Sequence, residues 1–70
     1  MTLEEIGKEI TSRRKELEIT QQDLGEMAEV TTKTISQIEN GTGNPSFQTL
    51  EKIMEILGMK IIIMLKVENL

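Results

Sequence analysis

Apolar residues recur along most of this chain at intervals of three and four, the spacing that puts them on one side of a helix. Leu3, Ile6, Ile10 and Leu17 follow Thr2 and Glu5, a pair spaced as a capping box, and together they predict a first helix from about residue 2 to 17. Thr20 is a second N-cap. Asp23 stands three residues after it, and Leu24, Met27 and Ala28 mark the inward face of a helix of about eight residues that stops near Glu29. Thr31 caps a third short helix with Ile35 and Ile38 inward, and Asn40-Gly41 supplies its stop. Residues 41–45 read as a loop. Ser46 then caps a fourth helix carrying Phe47, Leu50, Ile53 and Leu57 and ending at Gly58.

The period changes in the tail. From Lys60 to Val67 the chain is rich in β-branched residues and is bounded by Gly58 and Glu68-Asn69, so a strand is expected, with a fifth helix as the alternative. A lone strand exposes unpaired amides and carbonyls, and a second copy of the same strand is the economical partner. The expected fold is therefore mainly α, four helices plus one C-terminal strand. Residues 1–58 form the helical domain and 59–70 a dimerisation segment, with Ile61, Ile62, Ile63, Met64 and Leu65 in the dimer strand.

Counting Gln21 as the first position of a two-helix unit, apolar or small residues fall at the fourth (Leu24), fifth (Gly25), eighth (Ala28), tenth (Val30), fifteenth (Ile35) and eighteenth (Ile38). Two short helices crossing steeply require such a pattern, with the small residue at the point of close approach. On the third helix Thr32, Lys33, Ser36 and Gln37 then face away from the buried side. Lysine can donate to guanine O6 and N7, glutamine can pair with adenine N6 and N7, and threonine offers a methyl to thymine. These four are the candidate base readers of a helix lying in a major groove.

At this point the chain resembles a known family. The segments Arg13-Arg14-Lys15-Glu16-Leu17, Ile19-Thr20-Gln21-Gln22-Asp23-Leu24, Val30 through Gly41 and Pro45-Ser46 are similar to the phage repressor/Cro type (XRE-type) helix-turn-helix proteins, over roughly residues 4 to 58. The resemblance implies a repressor-like domain that binds double-stranded DNA. It implies phosphate contacts from Gln21, Thr34 and Asn40, a structural pair between Arg14 and Glu39, and Arg13 or Lys15 as further phosphate contacts. One departure stands out: Glu29 occupies a turn position that is usually glycine in such proteins because it needs positive φ. The loop Thr42–Asn44 also lacks the basic residue many relatives carry, so modest affinity per subunit is expected, raised by dimerisation. A helix-turn-helix domain ending in a paired strand further resembles the HipB-like antitoxins, which bind operators as dimers and hold a toxin partner.

Composition narrows the alternatives. A net charge of -4 argues against bulk coating of nucleic acid, and a single aromatic, Phe47, argues against base-stacking platforms. With no cysteine and no histidine, disulfides, the usual zinc sites and a nucleophile-base pair are all excluded, so no enzyme, metal or cofactor is expected. Glu26 and Glu29 read as a solvated acidic patch. Gly41 and Gly43 begin a glycine-rich pattern that Ser46 breaks, and Met27, Met54, Met59 and Met64 read as core or dimer filler. The longest apolar run, Ile61–Leu65, is far short of the roughly 20 residues of a membrane span, and the absence of cysteine suits a reducing cytoplasm. The expectation is a cytoplasmic, homodimeric transcriptional regulator acting on a palindromic operator. The alternative is a protein-interaction module of the same fold that has lost DNA binding.

Overall fold

A computed structural model describes residues 1–67; the expected stop of the tail, Glu68-Asn69, and the end of the dimerisation segment lie outside the described residues. Thr2 opens α1 (Leu3–Glu16) with a reciprocal cap: its hydroxyl accepts the Glu5 amide at 3.1 Å, and the Glu5 carboxylate accepts the Thr2 amide at 3.2 Å. Thr20 and Asp23 open α2 (Gln21–Ala28) in the same way, at 3.0 and 2.9 Å. The hydroxyls of Thr31 and Ser46 each accept the amide three residues on, at 3.1 Å, and start α3 (Thr32–Glu39) and α4 (Phe47–Ile56). Each of these starts follows from a local side chain satisfying a helix amide that has no intrahelical partner.

The four helices also end alike. Glu18, Glu29, Gly41 and Gly58 adopt φ of 56°, 59°, 73° and 70°. The amide after each returns to a carbonyl five residues back: Ile19 to Arg14 at 3.3 Å, Val30 to Gly25 at 2.9 Å, Thr42 to Gln37 at 2.9 Å and Met59 to Met54 at 2.8 Å. This left-handed closure satisfies the last carbonyls of a helix. Two of the four positions use glycine, which adopts positive φ freely, and two use glutamate, which does not.

Ile10, Leu24, Ala28, Ile35, Ile38, Leu50, Ile53, Met54 and Leu57 form the buried core, with Ile6, Ile19, Val30 and Met59 packed against it. Every helix contributes, and α3 is held between α1 and α2. Four residues expected on inward faces are instead substantially exposed: Leu3, Leu17, Met27 and Phe47. Leu3 and Leu17 sit at the two ends of α1, beyond the reach of the packed helices, and Phe47 begins α4 beside the start of the tail.

In the tail the described residues show neither the expected strand nor the alternative fifth helix. Met59 packs on the core, but from Lys60 to Val67 the chain is exposed, with Ile63 and Leu65 each at 95%. Residues 60–67 do not form the alternative fifth helix, and within the single chain they form no ladder either. A strand exists only through hydrogen bonds to a neighbour, so Ile61, Ile62, Ile63, Met64 and Leu65 remain an unpaired apolar segment here.

Candidate nucleic-acid interface

The turn between α2 and α3 depends on a close backbone approach. A Cβ on Gly25 would lie 2.8 Å from the Val30 carbonyl oxygen, so only glycine lets the chain leaving Glu29 fold back across α2. Glu29 itself is left-handed, with φ 59° and ψ 40°, as the turn requires. With Ile35 and Ile38 buried beneath, Thr32, Lys33 and Gln37 are exposed on α3 and Ser36 is half-buried among them. The first turn of α3 carries no acidic side chain, so its positive end is not neutralised. The loop after α3 folds beside Gln37: Thr42 donates its amide and its hydroxyl to the Gln37 carbonyl at 2.9 and 3.1 Å.

The angle of α3 is fixed from behind by Glu39. Arg14 donates from Nε to Oε2 at 2.7 Å and from Nη2 to Oε1 at 3.1 Å, and its Nη1 donates to the Ile19 carbonyl at 2.9 Å. Thr11 Oγ1 and Gln21 Nε2 also donate to Glu39 Oε1, at 2.9 and 3.2 Å. One carboxylate thus ties α1, the start of α2 and the end of α3 together. Burial pushes the Glu39 carboxyl up, yet the hydrogen bonds from Arg14, Gln21 and Thr11 outweigh it and hold the group below the ordinary carboxylate value. The same hydrogen bond, opposed by burial and aided by the Glu39 charge, raises Arg14.

The phosphate candidates separate into two groups. Lys15, Gln21 and Asn40 line one groove at the meeting of α1, α2 and the end of α3. Gln21 gives one amide hydrogen to Glu39, which orients the side chain and leaves the second hydrogen for a ligand. Thr34 is half-buried on the other side of α3, its hydroxyl 2.9 Å from that of Thr31. Arg13 is drawn elsewhere: its Nε donates to the Leu57 carbonyl at 2.9 Å, capping α4, and its Nη1 meets Glu16 at 3.2 Å. Its guanidinium is therefore occupied in closing α4, and of Arg13 and Lys15 only the lysine lines the groove.

Two residues that support this surface, Gly7 and Thr11, are not among the candidates read from the sequence. Gly7 lies in the middle of α1, where a Cβ would run into the Ile38 carbonyl oxygen and come within 2.7 Å of that of Glu39. Thr11 looks like any polar helix position until Glu39 is known to lie opposite. The signal that could have found Gly7 is its rarity in a helix interior, where glycine costs roughly 0.5–1 kcal/mol against alanine and so implies a packing reason.

Two short helices joined by a left-handed turn, the second presenting a polar face over a buried apolar one, define a helix-turn-helix. The helix-turn-helix family matches this chain over residues 10–63, and the chain belongs to that family in its phage repressor/Cro (XRE-type) form, a family of DNA-binding regulators rather than enzymes. Among similar proteins, the immunity repressor protein of Bacillus phage phi105 is 36% identical over 56 residues, which is 80% of this chain and 39% of the repressor. A protein of Haemophilus influenzae (strain ATCC 51907 / DSM 11121 / KW20 / Rd) named as an uncharacterized HTH-type transcriptional regulator is 36% identical over 63 residues, 89% of this chain and 64% of the relative. The chain thus spans less than two thirds of the length of either curated relative. No helix among the described residues is long and apolar enough to cross a membrane.

Proposed function

We propose that the protein is a sequence-specific transcriptional regulator that binds double-stranded DNA as a homodimer. In this reading Thr32, Lys33, Ser36 and Gln37 read base edges, while Gln21, Thr34, Asn40 and Lys15 meet phosphates. Segment 59–70 joins two copies, so that their recognition helices enter major grooves about 34 Å apart on a palindromic operator. Occupancy of the operator then blocks transcription of its own or a neighbouring gene. The observation that carries this is the polar face of α3, held at one angle by a carboxylate with four donors behind it. The relatives named as an immunity repressor and a transcriptional regulator support the same direction.

Electrophoretic mobility with a duplex selected from random DNA by the purified protein, set against an unrelated duplex, tests the reading. Preference for the selected duplex is expected, and Lys33→Ala or Gln37→Ala should each reduce that preference by about 1–3 kcal/mol per lost base contact. If both variants bind every duplex as the unaltered protein does, α3 is not the reader. If the unaltered protein binds no duplex, the interaction-module alternative takes its place. The HipB-like form of the proposal adds a toxin held by the same dimer. Co-expression with the product of the adjacent gene checks it: co-elution on gel filtration supports the toxin partner, and separate elution removes it.

A further inference from the structure

A hollow of about 590 Å³ opens between α4 and the root of the tail. Phe47, Met54, Met59 and Ile61 give it an apolar lining, and Glu51, Glu55 and Lys60 leave it with one surplus negative charge. Phe47, the chain's only aromatic, is 59% exposed there. A smaller hollow of about 130 Å³ beside Met1 shares Met54, Met59, Lys60 and Ile61, so the root of the tail stands as a ridge between the two. The same chain does not fill them. Exposure rises from 42% at Ile61 to 71% at Ile62 and 95% at Ile63, so the tail leaves the domain at that point.

The tail has a matching need. In an extended chain alternate residues share a face, so Ile61, Ile63, Leu65 and Val67 fall on one side and Lys60, Ile62, Met64 and Lys66 on the other. The first side is wholly apolar. Pairing two tails edge to edge satisfies their backbones yet leaves this side of the ribbon bare, and a two-stranded ribbon is marginal in water unless it packs against another element. The hollow under Phe47 is the larger of the two that adjoin the tail. Its surplus charge is opposite to that of Lys66, which follows Leu65 directly.

We infer that the hollow under Phe47 is the seat for the tail of a second copy: the partner's Ile63 and Leu65 pack on Phe47, Met54 and Met59, and the partner's Lys66 meets Glu51 and Glu55. The exchange is mutual, because a two-fold axis gives each domain the other's tail, and it closes at two chains. The inference rests on the homodimer reading above and adds to it a surface on the helical domain. Joining by extended tails alone leaves the two α3 helices free to reorient, whereas a tail seated on α4 sets their separation. Phe47 also follows the loop that Thr42 ties to the Gln37 carbonyl, so the seated tail lies next to the support of the reading helix.

Sedimentation equilibrium and a disulfide trap, both on the full chain, test it. Phe47→Ala removes a side chain that lies outside the core, so the fold is retained, which circular dichroism checks. Each dimer holds two seats and each is expected to lose about tenfold, so the dimer dissociation constant should rise about a hundredfold. The chain has no cysteine, so Glu51→Cys mixed with Lys66→Cys can link only between chains. A disulfide joining one chain of each variant, identified by mass, is expected on oxidation, since the bond needs Cα atoms within about 7 Å. Lys8→Cys, outside the hollow, should not link to Lys66→Cys. An unchanged dissociation constant in Phe47→Ala, or linkage through Glu51→Cys no greater than through Lys8→Cys, overturns the seat and leaves tail-to-tail joining standing. A chain carrying both Glu51→Cys and Lys66→Cys that closes its disulfide internally as a monomer overturns it too, because its own tail then fills the hollow. Unaltered protein that sediments as a monomer at tens of micromolar removes the inference together with the homodimer reading beneath it.

Discussion

Arg14 and Glu39, twenty-five residues apart, meet through two hydrogen bonds of 2.7 and 3.1 Å, with 12% of the arginine and 4% of the glutamate side chain exposed. A bidentate contact fixes direction as well as distance, so it sets the roll of α3 relative to α1. Its value to the protein lies in that alignment more than in net stability, because desolvating two charges offsets much of their attraction. Losing one partner is a different matter. Arg14→Ala leaves a buried carboxylate with Thr11 and Gln21 alone and is expected to cost about 3 kcal/mol or more in urea denaturation. A cost under about 1 kcal/mol would show that the pair does not hold the helices.

Acid should expose the same carboxylate. The folded protein holds Glu39 below the ordinary glutamate value of about 4.3, so the unfolded chain takes up its proton first as pH falls. The stabilisation is complete above that value and disappears as pH drops through the lower folded value. Asp23, held low chiefly by the Thr20 amide and then by its hydroxyl, acts in the same sense at the exposed start of α2. Glu39→Gln is expected to be less stable at neutral pH and to lose less between pH 5 and 3 than the unaltered protein. Equal acid losses in both would remove Glu39 from the account.

How much of this surface is legible beforehand depends on how local its cause is. The caps at Thr2, Thr20, Thr31 and Ser46 are readable because each side chain bonds an amide within three residues. The buried positions of the helix-turn-helix are readable from period, and the left-handed Glu29 from resemblance. Glu18 is not, since a glutamate in a left-handed turn looks like any other polar residue. Arg13 and Arg14 are adjacent in the chain, yet one caps α4 across forty-four residues and the other pairs with α3. Only the packing of α1 decides between them. Phe47 shares a helical stripe with Leu50, but its place in the first turn leaves it outside the core.

Gly7→Ala sets two effects against each other. Alanine gains roughly 0.5–1 kcal/mol of helix propensity over glycine. Its methyl, however, would meet two carbonyl oxygens of α3 backbone, which cannot rotate away as a side chain could. Forced separation of packed elements costs about 1–3 kcal/mol, so the clash prevails and net destabilisation is expected in thermal or urea unfolding. A more stable variant would mean that α1 and α3 lie farther apart than described.

Replacing Glu18 or Glu29 with glycine should do the opposite. Each sits at φ near 60° in the same closure that Gly41 and Gly58 complete elsewhere. Removing the Cβ relieves about 1 kcal/mol at each site, and because the two turns are separate the gains should add. Thermal melts of the two single variants and the double one measure this directly; no gain at either site would show that the turns carry no such strain.

The tail offers the sharpest test of assembly. Ile62, Ile63, Met64 and Leu65 are each more than two thirds exposed, an apolar run that water disfavours. Full burial of such side chains is worth about 2 kcal/mol apiece, and a symmetric contact counts the run twice. That total exceeds the low end of the association cost, about 4 kcal/mol, and leaves room for ordering the segment. Sedimentation is therefore expected to find dimers of the intact chain and monomers of a version ending at Gly58. Ile63→Glu should act like the truncation without removing any backbone. On DNA the two effects separate: both variants should match the intact protein on a single half-site and fall well below it on two half-sites spaced by one helical turn, because only the linked pair binds the second site without a new encounter. Intact protein that sediments as a monomer at tens of micromolar, or truncated protein that keeps full affinity for the double site, would show that the tail is not what joins two copies.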